Sequence, residues 1–304
     1  MLGWCWAGTG LADPAEPTCV DFLKISTVPR VAALGEATVA VSDATWAEAN
    51  PGNLTGIDGT LMTFSHTAWF QDISLEMLTF GTSTGRHGFG VSVVGLHTDA
   101  LDRYDESDTY LGSFHYFDFL LSATYAMAPM PYMRLGITGK TIYEKIDWDS
   151  ATGYAIDFGL GYSRPVSLLR GGLSGGLALR NLGPKMGYFS EDYDLPLSWQ
   201  AGASYRPAWL PRPVTALVAC DYRETRGYDG GVLLGMEVGL VNMVALRLGH
   251  RGDFETSGLT LGAGLAFKNM TFDYAYTDLG ANLGGTHRIS LSLRTRGILL
   301  PREE

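Results

Sequence analysis

An all-β fold, a transmembrane antiparallel β-barrel of 14 strands behind a short N-terminal plug, is what this sequence predicts, on three observations. Between Leu61 and Arg294 the chain repeats a unit of roughly ten residues that alternate apolar and polar, each closed by a turn. The connections alternate as well, brief on one side, longer and acidic on the other. No apolar run approaches the ~18 residues of a spanning helix, although 46% of the 304 residues are hydrophobic and only 18% are charged. A barrel reconciles these facts, because it spreads its lipid-facing residues singly over many strands.

Residues 1–17 read as a signal-peptide remnant or leader. Met1 to Ala12 are apolar and small, and Asp13-Pro14-Ala15-Glu16-Pro17 then turns polar, with no Lys or Arg ahead of the apolar run. Trp4 before Cys5 spoils a lipidation box, which needs a small residue there. Residues 18–59 read as the plug. Val20 to Ile25, Val31 to Leu34 and Ala37 to Val41 are short apolar pieces, Ala44 to Asn50 suits a helical turn, and Asn50-Pro51 ends it. Residues 60–295 form the barrel and 296–304 a C-terminal tail.

The expected lipid-facing parity runs strand by strand. It comprises Met62, Phe64 and Ala68; Ile73, Leu75 and Met77; Phe89, Val91 and Val93; then Phe117, Phe119, Leu121, Ala123 and Tyr125. Met133, Leu135, Ile137 and Tyr143 mark the fifth strand, Ile156, Phe158, Leu160 and Tyr162 the sixth, and Leu173, Leu177 and Leu179 the seventh. Trp199, Ala201 and Tyr205, then Ala216, Val218 and Cys220, then Val232, Leu234, Met236, Val238 and Leu240 follow. The last four strands carry Val244, Leu246 and Leu248; Leu259, Leu261, Ala263, Leu265 and Phe267; Phe272, Tyr274 and Tyr276; and Ile289, Leu291 and Leu293.

The opposite parity carries Glu76, Asp118, Arg134, Lys140, Asp157, Arg180, Gln200, Asp221, Glu237, Arg247, Lys268, Asp273 and Arg288. On a lipid face near the midplane each Arg or Lys would cost ~2–4 kcal/mol, whereas a polar lumen tolerates them. That parity is also rich in glycine, including Gly136, Gly159, Gly176, Gly235, Gly249 and Gly262. Small inward residues leave room for a plug.

Tight turns at Ala128-Pro129-Met130-Pro131, Val241-Asn242-Met243 and Lys268-Asn269-Met270 are expected on the periplasmic side. Long connections at Thr98 to His115, Asp147 to Gly153, Pro184 to Pro196, Arg223 to Gly230, Gly252 to Gly258 and Leu279 to Thr286 are expected outside. Tyr116, Trp148, Trp199, Trp209 and Tyr222 suit the interfacial girdles.

A net charge of −10 excludes a nucleic-acid partner. The three cysteines, Cys5, Cys19 and Cys220, have no metal spacing; Cys220 reads as a small hydrophobe, with a Cys19–Cys220 bridge as the alternative. Ser65 and His66 point to opposite faces of a strand and cannot pair. With no GxSxG elbow and no HExxH helix, the reading is of a non-enzyme without catalytic, metal or cofactor residues. Two polar sets remain. Lys24, Arg30, Glu36, Asp43 and Asn50 of the plug are candidates to meet Glu76, Asp157 and Arg180 of the wall, unless the wall charges pair among themselves. Asp99, Asp102, Asp105, Glu106 and Asp108 crowd one outer loop, either as solvated surface or as ligands for a divalent cation.

Phe22-Leu23-Lys24-Ile25, Arg30 to Gly35, Val39 to Asp43, Asn50-Pro51 and Ser65 to Ile73 resemble the start of the PorV/PorQ family. Leu179 to Pro184, Tyr274 to Thr277 and Thr286 to Leu291 resemble its later landmarks. Gly52-Asn53 after Pro51 departs from the usual Asn-Pro-Ala. The resemblance implies a FadL-like barrel with an N-terminal plug, in the outer membrane of a Gram-negative-type bacterium and in contact with its lipid. It also implies a secretion or surface-assembly component of type IX kind that binds partner proteins. A passive transporter of hydrophobic small molecules or fatty acids is the alternative, for which an apolar pocket and a broken strand ladder would speak.

Overall fold

The computed structural model describes residues 18–42, 46–69, 73–105, 107–188, 191–252, 258–278 and 284–295, with backbone alone at Tyr188 and Glu191. Its strands are β1 (Gly59–Ala68), β2 (Ile73–Ser83), β3 (His87–Thr98), β4 (Leu101–Tyr104), β5 (Tyr110–Phe114), β6 (Tyr116–Met130), β7 (Met133–Ile146), β8 (Asp149–Val166) and β9 (Gly171–Leu182). There follow β10 (Met186–Tyr188), β11 (Glu191–Tyr193), β12 (Ser198–Pro207), β13 (Val214–Thr225), β14 (Gly231–Leu240), β15 (Val244–Arg251), β16 (Leu259–Phe267), β17 (Met270–Asp278) and β18 (Gly285–Thr295). Fourteen of them close into one antiparallel barrel, sealed where β1 meets β18 from Thr60↔Thr295 to Ala68↔His287. Closure leaves no strand edge unpaired. The pairs β4–β5 and β10–β11 are small hairpins inside two outer connections.

Alternation along the strands sets the two surfaces. Phe64, Leu121, Phe158, Leu246 and Phe272 are exposed on the outside, while Asp157, Gln200, Asp221, Arg247, Asp273 and Arg288 are buried within. An apolar outer belt around a closed, even-stranded antiparallel barrel is the construction of a Gram-negative outer-membrane protein, and the chain belongs there.

Strand β2 corrects the expected parity. Leu75 and Met77 are buried inside, and Glu76 faces outward. There it contacts His66 Nδ1 at 3.0 Å and His97 Nδ1 at 3.2 Å. Near the outer end of β2 the apolar parity, Ile73, Leu75 and Met77, is the inward one, opposite to the other strands. The register partner His66 puts Glu76 outside, and the plug buries Leu75 and Met77. Tyr116 is also turned inward, away from the girdle, because it shares parity with Asp118. Lys268 lies in the exposed turn between β16 and β17, not on the lumen wall. The connection expected at Asp147 to Gly153 is a two-residue turn, Asp147-Trp148, because β8 begins at Asp149. On the other side β6 continues to Met130, leaving Pro131-Tyr132 as the turn. Cys19 and Cys220 are free and do not bridge; Cys220 is exposed on the lipid side.

The N-terminal segment threads the barrel from outside to inside. Thr18 bridges Asp194 beside β11, and the chain then passes a 3-10 turn, Asp21–Lys24, and α1 (Pro29–Ala33). Pro29 occupies the first helical turn, where no intrahelical N–H partner is lost. The helix ends because Gly35 and Glu36 take left-handed φ of 60° and 61°. A second 3-10 turn, Pro51–Gly56, leads to β1 at the periplasmic end. Inward glycines let this chain lie directly on the wall. A Cβ on Gly249 would sit 2.1 Å from Gly35 N, and one on Gly136 would sit 2.3 Å from the Pro51 carbonyl carbon.

Candidate functional site

Among the described residues, buried polar chemistry is concentrated between plug and wall. Helix α1 presents Arg30 to β14, where Nε and Nη2 each reach a Glu237 carboxylate oxygen at 2.9 Å. The same carboxylate accepts from Arg247 Nε at 2.7 Å, and Arg247 Nη1 donates to Asp273 Oδ1 at 2.6 Å. Glu36, set by the left-handed turn, meets Arg223 Nη1 at 2.5 Å and Arg251 Nη1 at 2.7 Å. Burial alone would push the Glu36 carboxyl up, but the Arg251 and Arg223 guanidiniums outweigh it and hold it down at about 2.

Backbone groups of the plug are satisfied by the wall in the same way. Asp221 Oδ2 accepts from Val39 N at 2.9 Å, and Arg288 Nε donates to Ser26 O at 2.7 Å. Asn50 is wholly buried; its Nδ2 donates to Val39 O and Leu160 O, both at 2.9 Å, and its Oδ1 accepts from Gly52 N at 2.9 Å. That side chain ties two strands of plug to β8. Replacing Asn50 by Ala removes three hydrogen bonds to buried backbone groups, leaving Val39 O only its longer bond from Asn53 Nδ2, and is expected to cost about 2–4 kcal/mol, read as a lower unfolding temperature in micelles; an unchanged value would refute the role. Glu48 clamps the plug to itself, accepting from Ser26 Oγ at 2.7 Å and Thr27 N at 2.6 Å. Burial pushes its carboxyl up against those bonds.

The residues singled out from sequence are therefore distributed as follows. Arg30 and Glu36 contact the wall, but through Glu237, Arg223 and Arg251 instead of Glu76, Asp157 or Arg180. Arg180 donates from Nη1 to Glu48 O at 2.7 Å, a plug backbone group. Asp157 pairs within the wall, with Lys140 Nζ at 2.7 Å. Lys24 stays at the outer mouth, 2.6 Å from Asp21 and 3.0 Å from Tyr228 Oη. Asp43 and Glu106 lie outside the described residues. Asp99, Asp102 and Asp108 are on the exposed outer loop, and Asp105 folds it by accepting from Ser107 N at 2.8 Å and Thr109 N at 2.9 Å. Arg223 and Arg251 went unread in the sequence, although each shares the inward parity, Arg223 two residues beyond Asp221 and Arg251 four beyond Arg247.

Between plug and wall lies a cavity of about 80 Å³ with two chemically distinct sides. Phe22, Val31, Met77, Val94 and Leu120 form one; Lys140, Arg180, Gln200, Arg223 and Glu48 form the other. Above it, toward the outer mouth, the apolar surface continues through Leu75, Leu96 and Ile142 and is covered by Val20 and Phe22. Beside it the β8–β9 ladder breaks register between Ile156 and Phe158. Asn181, at φ 60°, fills the break, its N donating to Asp157 Oδ1 at 2.7 Å and its Nδ2 to Pro196 O at 3.0 Å.

A family model described only as an uncharacterised protein family (UPF0164) matches residues 15–113. No curated protein matches. Among solved structures, the Pseudomonas putida toluene transporter TodX is similar at a TM-score of 0.57 and 10% identity, over 87% of this chain and 97% of that one. The Ralstonia pickettii toluene transporter TbuX is similar at 0.52 and 12% identity, over 88% and 97%. A Pseudomonas aeruginosa FadL homologue is similar at 0.50 and 12% identity, over 92% and 99%. At such identities the likeness establishes a shared FadL-like fold.

Proposed function

We propose that this barrel is a passive conduit for hydrophobic small molecules across the outer membrane. One observation carries the reading: beneath the Asp118–Glu144 pair at its outer end, the inner wall of β2, β3, β6 and β7 carries an apolar band, at Leu75, Met77, Val94, Leu96, Leu120 and Ile142. A lumen that merely held water would be polar on that face, and here the plug side chains Val20, Phe22, Val28 and Val31 take the place a hydrophobic molecule would occupy. The covering turn, Asp21–Lys24, buries only Phe22 fully. A hydrophobic molecule that displaced it would gain the same contacts, at about 25 cal/mol per Å² of apolar surface removed from water. The cavity below would receive the molecule, with Lys140 and Arg180 facing any polar end. The break between β8 and β9, next to that cavity, is the natural place for sideways release into lipid.

The toluene transporters and the FadL homologue support this reading by their shared fold, and the first two by the cargo for which they are named. Nothing in the fold favours the secretion-component reading over it.

Uptake of labelled toluene and of a labelled long-chain fatty acid, by an outer-membrane-competent host without its own hydrophobic uptake barrel, tests the proposal. Expression is expected to raise uptake of at least one above the empty host. Leu120→Asp is expected to reduce that uptake at least about tenfold, since a further carboxylate among apolar side chains, on the same face as the unpaired Asp118 and Glu144, costs well over the ~1.4 kcal/mol that a factor of ten represents. Uptake equal to the empty host, or indifferent to the substitution, would refute it.

A further inference from the structure

We propose that Asp118, Glu144 and Tyr116 hold a hard divalent cation, Ca²⁺ or Mg²⁺, at the outer end of the lumen. Asp118 on β6 and Glu144 on β7 stand directly opposite in register. Both are buried, at 0% and 7% exposure. The Tyr116 hydroxyl lies 2.8 Å from Asp118 Oδ2 and 3.1 Å from Glu144 Oε1. A hydroxyl carries one proton and can donate to only one of them at a time. The other two oxygens, Asp118 Oδ1 and Glu144 Oε2, are buried and accept no hydrogen bond. Asp21, on the covering turn, brings no positive charge to them; its own carboxylate is paired with Lys24 Nζ at 2.6 Å.

Like charges directly across a strand pair are destabilising, and burial removes the water that would screen them. Buried carboxylates are kept by pairing or by coordinating a metal. Here no Lys, Arg or His forms an ion pair with either one among the described residues. The converging donors are oxygens, two of them without partners, which is the chemistry of Ca²⁺ and Mg²⁺. Among the described residues no three carboxylate, His or Cys side chains are grouped for a metal. The shell is therefore two carboxylates and a hydroxyl, completed by water. Such a sparse set suits affinities of about 0.1–1 mM, those of cation sites that face the extracellular medium. The bound ion would cancel the repulsion between β6 and β7.

Calorimetric titration of Ca²⁺ into the chelator-stripped full chain in micelles, with thermal unfolding in parallel, tests this. Uptake of one Ca²⁺ and a higher unfolding temperature are expected. The near-isosteric double variant Asp118→Asn with Glu144→Gln is expected to weaken uptake at least about tenfold, and Asp105→Asn with Asp108→Asn to leave it unchanged. No uptake at millimolar Ca²⁺, equal uptake by the Asp118/Glu144 variant, or stability that follows pH but not Ca²⁺ would each overturn the proposal, the last because the pair then shares a proton. Should the double variant not fold, Tb³⁺ emission excited through tyrosine decides. It is expected to be displaced by Ca²⁺ and to fall in Tyr116→Phe, and emission indifferent to that substitution overturns the site.

Discussion

Valine at Gly136 is expected to drive the plug out of the barrel. The β-carbon of any residue there would lie 2.3 Å from the Pro51 carbonyl carbon and 2.4 Å from Gly52 N, both backbone atoms that cannot swing aside. Overpacking a well-filled site costs about 1–3 kcal/mol when side chains can adjust. Here the obstacle is the rigid Pro51–Gly52 peptide group and valine adds two methyl groups, so the effect lies at or beyond the upper end. The wall strand is fixed by its ladders to β6 and β8, whereas the plug is held by side-chain contacts, so the plug gives way. In planar bilayers the variant is expected to conduct ions where the parent is closed, and its unfolding temperature falls. Gly139, on the same strand but facing outward, has nothing within 4 Å of a built Cβ. Gly139→Val is therefore the control and is expected to change neither quantity. Equal behaviour of the two variants would show that the plug does not rest on Gly136.

Glu36→Gln is expected to produce the largest loss of stability among the charged positions. Its carboxylate serves Arg223 and Arg251 together, with about 5% of the residue exposed. Removing one partner of a buried ionic cluster costs about 3–5 kcal/mol, because the charges left behind stay desolvated. The same group sets an acid limit. Its pKa falls from 4.5 to about 2 on folding. A depressed folded value means that the unfolded chain binds the proton first. The contribution is complete above about pH 4.5 and is lost as pH falls toward about 2. The shift corresponds to about 3 kcal/mol, in line with the substitution estimate. Unfolding measured in micelles from neutral to acid pH should show a steeper acid decline for the parent than for the Gln variant. Parallel curves would mean that Glu36 is not charged in the folded lumen.

Legibility followed the strength of the lipid constraint. Where one face of a strand must be apolar for its whole length, as in β8, with Ile156, Phe158, Leu160 and Tyr162 outside and Asp157 inside, parity could be read residue by residue. Where the apolar parity is the inward one, as at Leu75 and Met77 with Glu76 outside, its sign could not be read. Tyr116 failed for a related reason: an aromatic near a strand end suits a girdle as well as a hydrogen bond to Asp118. The ionic partners of Arg30 and Glu36 were out of reach because they come from β13 to β15, about 190 to 215 residues away along the chain. Nothing local relates residues at that separation; the closing of the barrel does.

What the sequence determined by itself was the barrel, its fourteen strands, its outward belt and the glycine-lined interior, because each follows from a period of two repeated against a uniform solvent of lipid. The tertiary structure decided which apolar residues turn inward, which charges meet, and where the ladder breaks. Those depend on which wall segment the plug crosses, and that is fixed only when the first strand meets the last.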